Sequence, residues 1–240
     1  MIMRKSKLYI IIYVLTLIMS IPFLLACSST SALKEGQQLF TGLKPIEYSN
    51  YEKSGYADST MLEMENVLAS APNGALFGSS YYRTPFPVRL WIWNAFSQSE
   101  GGVAKWITKA FGSKPKLMSN VNPQLRAQVA ENQLDKYGYF NGKVTYDVVT
   151  DNNPKKAKVA YHVDMGHLWT LDTVKYLGFP NEGQQLIDST RNLAVIRTGS
   201  PFNVSRLEEE RQRITRLFRN NGYYFYKNGF SAFLADTLGT

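Results

Sequence analysis

The sequence predicts an α+β fold in which one strand-helix-helix-strand-strand unit occurs twice, the first copy with a helical insertion and the second incomplete at its C-terminal end. Three observations lead there: apolar patterns that recur at fixed offsets, helical stripes bounded by capping residues, and period-two alternation between them. Leu43, Ile46 and Tyr48 return 128 positions later as Leu171, Val174 and Tyr176. Ala130, Leu134, Gly138, Tyr139 and Phe140 return 84 positions later as Ile214, Phe218, Gly222, Tyr223 and Tyr224. Both matches fall at element boundaries.

The first unit opens with a strand over 42–49 and a helix over about 58–69. Asn122 and Pro123 then read as an N-cap and first helical residue. Leu125, Val129, Ala130, Leu134 and Tyr137 supply an apolar stripe, and Gly138 closes the helix in the left-handed region. Beyond it Phe140, Val144, Tyr146 and Val148 alternate with Asn141, Lys143, Thr145 and Asp147. Asp151-Asn152-Asn153-Pro154 turns the chain, and Val159, Tyr161 and Val163 alternate in a second strand, so a hairpin follows the helix. The second unit reads as strand 168–177, a short helix near 183–192, a helix over 204–221 and a strand over 223–233. In that last helix Ser205 and Glu208 fit a capping box, and Leu207, Ile214, Leu217 and Phe218 face inward. A final strand would have to follow Thr240.

The chain has 240 residues, 44% hydrophobic and 19% charged, which suits one medium or two small globular domains and excludes collagenous or wholly disordered chains. Arg4, Lys5 and Lys7 precede an uncharged run from Leu8 to Ala26, followed at once by the only cysteine, Cys27. That order is a secretory signal over 1–26. Leu24-Leu25-Ala26-Cys27 resembles the bacterial lipobox, which makes Cys27 the lipidation site and 27–38 a polar tether. Loss of the signal reduces the formal charge from +8 to +5.

Between Tyr48 and Gly138 the first unit carries extra residues, at about 72–120, that have no counterpart in the second. From Ser70 to Asn120 the basic residues are Arg83, Arg89, Lys105, Lys109, Lys114 and Lys116, and the only acid is Glu100. The same stretch holds Phe77, Tyr81, Tyr82, Phe86, Trp91, Trp93, Phe96, Trp106 and Phe111. Val103, Trp106, Ile107, Ala110 and Phe111 share one face of a helix ending at Gly112, beside Lys105 and Lys109. Lys105, Trp106, Lys109 and Phe111 therefore suit an anionic membrane interface or the mouth of a barrel. The alternative is a local core that packs the insertion onto its own domain. Basic and aromatic residues also suit single-stranded nucleic acid, but export argues against it.

Catalytic chemistry is not indicated. One cysteine and two histidines do not make a metal site or redox pair, and no GxSxG, HExxH, Walker or GxGxxG pattern occurs. His162, on the polar side of a strand, and His167, in a turn, read as solvated. Glu208-Glu209-Glu210 reads as first-turn acid at a helix N-terminus.

The order of elements, with Gly138-Tyr139-Phe140-Asn141-Gly142, Tyr161-His162-Val163-Asp164-Met165-Gly166 and Asn220-Asn221-Gly222-Tyr223-Tyr224-Phe225, resembles the POTRA module of the BamA/TamA superfamily. With the lipobox and Leu39-Phe40-Thr41-Gly42-Leu43, the likeness is to the TamL-like lipoprotein branch of Bacteroidetes. The resemblance implies POTRA-like domains over 39–165 and 166–240, lipid-anchored at the outer membrane and facing the periplasm. It further implies a non-enzymatic role without cofactors in protein assembly, with unfolded outer-membrane proteins as clients and a TamB-like partner. Clients would add as strands along 140–149 and 223–233, at Phe140, Val144, Tyr146, Val148, Tyr223 and Phe225. Members of the family continue into a transmembrane barrel, which these residues do not contain. A freestanding periplasmic lipoprotein interaction module is the alternative. Cys27→Ala is expected to abolish palmitate labelling and release the protein from membranes; labelling that persists would refute the lipobox.

Overall fold

The structure, a computed structural model, describes residues 29–236. Cys27 and the predicted signal lie outside the described residues. The fold is α+β. Its strands are β1 (Leu39–Leu43), β2 (Glu47–Ser49), β3 (Lys143–Thr150) and β4 (Lys156–Asp164). Its helices are α1 (Gly55–Leu68), α2 (Val88–Phe96), α3 (Gly102–Phe111), the short α4 (Met118–Val121), α5 (Pro123–Lys136), α6 (Asn181–Ser189) and α7 (Val204–Asn220).

The sheet runs β1-β4-β2, with β3 also on β4. The predicted strand 42–49 is broken between β1 and β2, where Pro45 has no N–H to give a ladder. β1 pairs with β4 in parallel, Leu39 opposite Lys156 and Leu43 opposite Val159, with a register shift between Phe40 and Leu43. Gly42 makes that shift possible: its φ is +128°, and a Cβ there would lie 2.8 Å from the Ser80 carbonyl. The connection over 151–155 is too short for anything but a reversal, so β3 and β4 form the predicted hairpin. Val159, Tyr161 and Val163 are buried as the alternation requires.

Contacts group the chain into two compact units. The first takes the chain up to Glu47, Glu65–Ala127 and Thr145–His162; the second takes Tyr48–Met64, Gln128–Val144 and Val163 onward. In the first, Leu33, Leu39 and Leu90 cluster with Leu117. Leu33 belongs to the predicted tether, yet it is buried, as are Ser29 and Thr30. The Leu33 amide donates to Thr30 O at 3.2 Å and the Lys34 amide to Gln37 Oε1 at 3.0 Å. From Ser29 the segment is therefore folded rather than a free linker, because Leu33 has an apolar site to fill.

In the second unit Ile187, Ile214 and Phe218 form a core with Tyr176, Phe179, Leu217, Tyr223 and Tyr226 packed on it. The two helix ends that share a sequence pattern share a geometry. Tyr139 N donates to Leu134 O and Tyr223 N to Phe218 O, each at 3.0 Å, while Gly138 and Gly222 take φ of +84° and +95°. Gly138 and Gly222 do the same work at the ends of α5 and α7.

Several sequence expectations are corrected. The stripe of α5 that is buried is Ala127, Ala130 and Leu134, while Leu125 and Val129 are exposed. At Ala127 and Ala130 small side chains face inward, and Leu134 is the large one that does. α7 is capped by Asn203, whose side chain accepts from Arg206 N, so Ser205 and Glu208 form no capping box. With the helix starting at Val204, the three glutamates lie beyond its first turn. No strand forms over 168–177 or 223–233; their only ladder contact among the described residues is an isolated bridge, Thr170 to Pro201. The physical reason is that a strand exists only through a partner ladder, and these segments do not pair with each other.

Glu210 organises the second unit. Its carboxylate is fully buried and accepts from Tyr176 Oη at 2.8 Å, Val195 N at 2.7 Å, and Arg213 Nε at 2.9 Å and Nη2 at 2.6 Å. Burial pushes its pKa up, but the guanidinium of Arg213, the Val195 amide and the Tyr176 hydroxyl together outweigh that and hold it below the ordinary 4.5. The same burial, with the Glu210 carboxylate beside it, pushes Tyr176 up to about 12. A carboxyl depressed by folding contributes stability that is complete above its unfolded pKa and is lost as pH falls through the folded one. Glu210→Gln is expected to cost about 3–5 kcal/mol at pH 7 by leaving Arg213 buried without its partner. Urea titrations from pH 7 to pH 3 should show wild type losing stability below about pH 4 and the variant lacking that component.

Candidate functional site

The two borders of the sheet are built differently. On β1, Phe40 N donates to Lys116 O and Leu43 N to Ser80 O, both at 2.8 Å, and Met118 N reaches Gln38 O at 2.9 Å. The insertion thus supplies the acceptors for the outward amides of β1, and that border is closed. β3 pairs with β4 alone among the described strands. Its Val144 amide donates outward to Glu131 Oε1 at 2.9 Å. Alternate residues of a strand point their amides the same way, so Tyr146 and Val148 also face outward. Neither amide donates off the hairpin among the described residues. Val144 is buried, Tyr146 half-buried and Val148 exposed, so the border opens progressively toward the turn.

Phe140 precedes β3 in a turn, its ring 5.0 Å from Phe202 and 6.1 Å from Trp169. It is a packing residue there and not a strand residue. Tyr223 and Phe225 lie in the irregular segment after α7, Phe225 in a turn. Tyr223 packs edge-on to Phe218 at 5.2 Å, while the Phe225 side chain stands in solvent. Of the six residues expected to present strand borders, Val144, Tyr146 and Val148 lie on β3, and the Val144 amide is already taken by Glu131. Glu131 was missed, because nothing in a helical sequence pattern shows that one exposed carboxylate reaches back to a strand amide.

The insertion carries the second surface. α3 runs to Phe111 with Gly112 as its C-cap, as the sequence predicts. Only Thr108 on it is buried, whereas Val103 is 73% exposed, Trp106 62% and Phe111 52%. The apolar face therefore looks outward, and a local core is the wrong account of this helix. Trp106 and Phe111 pack edge to face at 5.7 Å, forming a two-ring ridge. Lys105 and Lys109 are exposed and make no ion pair among the described residues. The preceding α2 behaves differently: Leu90 is buried, and Trp91 and Trp93 are half-buried, with Lys114 Nζ 5.6 Å over the Trp93 ring. Core packing holds for α2 and outward display for α3.

His162 on β4 spans two carboxylates, Nδ1 at 2.9 Å from Glu47 on β2 and Nε2 at 3.2 Å from Asp147 on β3. It is a cross-strand link over the wet face and not the simply solvated side chain expected. His167 is exposed in the irregular segment after β4, beside Trp169. Among the described residues no three His, Cys, Asp or Glu side chains are grouped to hold a metal, and no helix is long and apolar enough to cross a membrane. No family model matches the chain, and no curated protein matches it.

Lys105→Glu combined with Lys109→Glu is expected to weaken binding of the protein to vesicles containing anionic phospholipid, most at low salt, while the melting temperature moves by less than about 2 °C. A large drop in melting temperature with unchanged vesicle binding would return α3 to a packing role.

Proposed function

We propose that this chain is the periplasmic POTRA-like portion of a lipid-anchored, TamL-like outer-membrane assembly factor that binds extended client segments by strand addition. The observation that carries this reading is the asymmetry of the sheet: the β1 border is closed by the insertion while the β3 border keeps outward amides at Tyr146 and Val148. A backbone ladder accepts many sequences, because main-chain groups are common to all of them. That suits clients that share little but extended, unfolded chain, such as nascent barrel strands, and a TamB-like partner would engage the same module. Strand-helix-helix-hairpin order in 39–165 and the repeated helix end at Gly138 and Gly222 support the tandem POTRA reading. The pairing missing from 168–177 and 223–233 leaves the second copy the weaker of the two.

The insertion then acts as the contact with the bilayer. Lipidation at Cys27 places the attachment point two residues before the buried Ser29, a reach of at most ~7 Å. The first unit would be held against the membrane, where exposed Trp106 and Phe111 sit at headgroup level and Lys105 and Lys109 meet phosphate. The alternative, a freestanding periplasmic lipoprotein module, uses the same two surfaces with a protein partner.

The test uses the direction of the β3 amides. Tyr146→Pro removes an outward N–H and leaves the hairpin ladder intact, so circular dichroism should stay native while capture of a photo-crosslinkable unfolded outer-membrane segment falls about three- to tenfold. Thr145→Pro, which removes an inward N–H, should unfold the hairpin. Undiminished capture by a natively folded Tyr146→Pro protein would defeat strand addition at this border.

A further inference from the structure

The insertion encloses a cleft of about 690 Å³ that the strand-addition role does not use. Its walls are the loops 71–75, 84–87 and 113–116 and the first turn of α2, with Asn120 at the margin. Arg89, Lys114 and Lys116 line it, and no acidic residue does. The volume falls in the range of small-molecule sites.

The walls are fixed before any ligand arrives. Asn73 spends its whole amide on them: Nδ2 donates to Ser113 Oγ at 3.1 Å and Lys114 O at 2.8 Å, and Oδ1 accepts from Lys116 N at 2.6 Å. Ser113 N donates to Arg89 O at 2.8 Å, which ties the third loop to the first turn of α2. Gly74, at φ +75°, admits Thr84 and Pro87 so closely that a Cβ would lie 3.0 Å from the Thr84 hydroxyl. Pro72, Pro85, Pro87 and Pro115 stiffen the same loops. Such walls need little ordering on binding.

Among the described residues no carboxylate neutralises these cations. Lys116 Nζ donates to Ala71 O at 2.8 Å and lies 5.7 Å over the Phe40 ring, which leaves donors unused. Burial, with Arg126 nearby, lowers the Lys116 pKa, as expected for an ammonium without an anion. Lys114 has the Trp93 ring and Arg89 has no carboxylate within salt-bridge distance among the described residues. Beside these charges stand exposed Phe86 and Val88 and buried Pro87 and Leu90, an apolar wall next to a cationic one.

We propose that this cleft binds a phosphoryl group carried on an apolar moiety. Arg89, Lys114 and Lys116 would share its oxygens, and Phe86 and Val88 would cover the attached group. Three cationic side chains along one wall can serve the three oxygens of a phosphoryl group, one more than a carboxylate offers. A phospholipid headgroup and a soluble phosphate ester present the same chemistry. None of the α3 residues lines the cleft, so this site is separate from the surface proposed to rest on lipid.

Calorimetry on the full mature protein in nonionic detergent tests the assignment with inorganic phosphate, phenyl phosphate and dihexanoyl phosphatidic acid. Saturable one-to-one binding is expected, phenyl phosphate exceeding inorganic phosphate by about tenfold through the apolar wall. Phosphatidic acid binding tighter than phenyl phosphate identifies a lipid source; the reverse identifies a soluble ester. Arg89→Gln and Lys114→Gln, both at exposed positions, should each weaken all three probes about tenfold without moving the melting temperature. Lys105→Glu with Lys109→Glu should leave phenyl phosphate binding intact, which separates this site from α3 docking. Absence of saturable binding to both soluble probes, or affinities unchanged in Arg89→Gln and Lys114→Gln, overturns the proposal.

Discussion

Every described strand depends on β4. It is the one strand that pairs with all three others, and its Val159, Tyr161 and Val163 put a continuous buried row at the middle of the sheet. Without it β1, β2 and β3 would have no ladder, since none of them pairs with another. The second repeat shows the consequence. Its segments 168–177 and 223–233 have strand-like composition but no shared partner, and they settle into turns and isolated contacts. Strand identity is thus a property of the partner as much as of the segment, which also makes an open border chemically active.

That difference explains which parts of the fold could be read from sequence. Helix ends are local events: Asn122 before Pro123, Gly138 after α5, Gly112 after α3 and Gly222 after α7 mark them within a residue or two. The facing side of a helix is less local. Leu125 and Val129 look like core and are exposed, because what fits the interior along α5 is the thin surface of Ala127 and Ala130. Glu210 is the opposite error, an acid read as complement to a helix N-terminus that is buried because Arg213, Val195 and Tyr176 surround it. No periodicity records those three partners, since two of them come from other parts of the chain. The candidate site divides the same way. Lys105, Trp106, Lys109 and Phe111 stand out by composition and spacing, whereas the closing of β1 by Ser80 and Lys116 carbonyls depends on a return path that no pattern encodes.

The insertion therefore has two structural duties, carried by different residues. One is to cover the β1 border, which fixes the loops around Ser80 and Lys116. The other is to display α3. A helix whose apolar face is outward gains nothing from the core, so its stability in water rests on its contacts with α2 and on Thr108, whose hydroxyl bonds Ala104 O at 2.9 Å. Exposed Trp and Phe at such a place lower stability in solution and gain it back only on contact with another apolar phase.

The two units also handle positive charge in opposite ways. In the second, Arg213 is buried against Glu210, and the pair closes on itself with a carboxylate, a hydroxyl and a backbone amide. In the first, Arg126 is satisfied by carbonyls alone: Val121 O, Val67 O and Ala69 O, the last two at the C-terminal end of α1, where the helix dipole favours a cation. Lys116 has one carbonyl and a ring face, Lys114 a ring face. Carbonyls and rings orient a cation, but they carry no net charge to cancel it. At Lys116 burial and the nearby Arg126 charge disfavour the ammonium, while Asn73 fixes the backbone of its loop. An ammonium held this way bears a desolvation cost that no carboxylate among the described residues offsets, whereas Glu210 offsets it for Arg213.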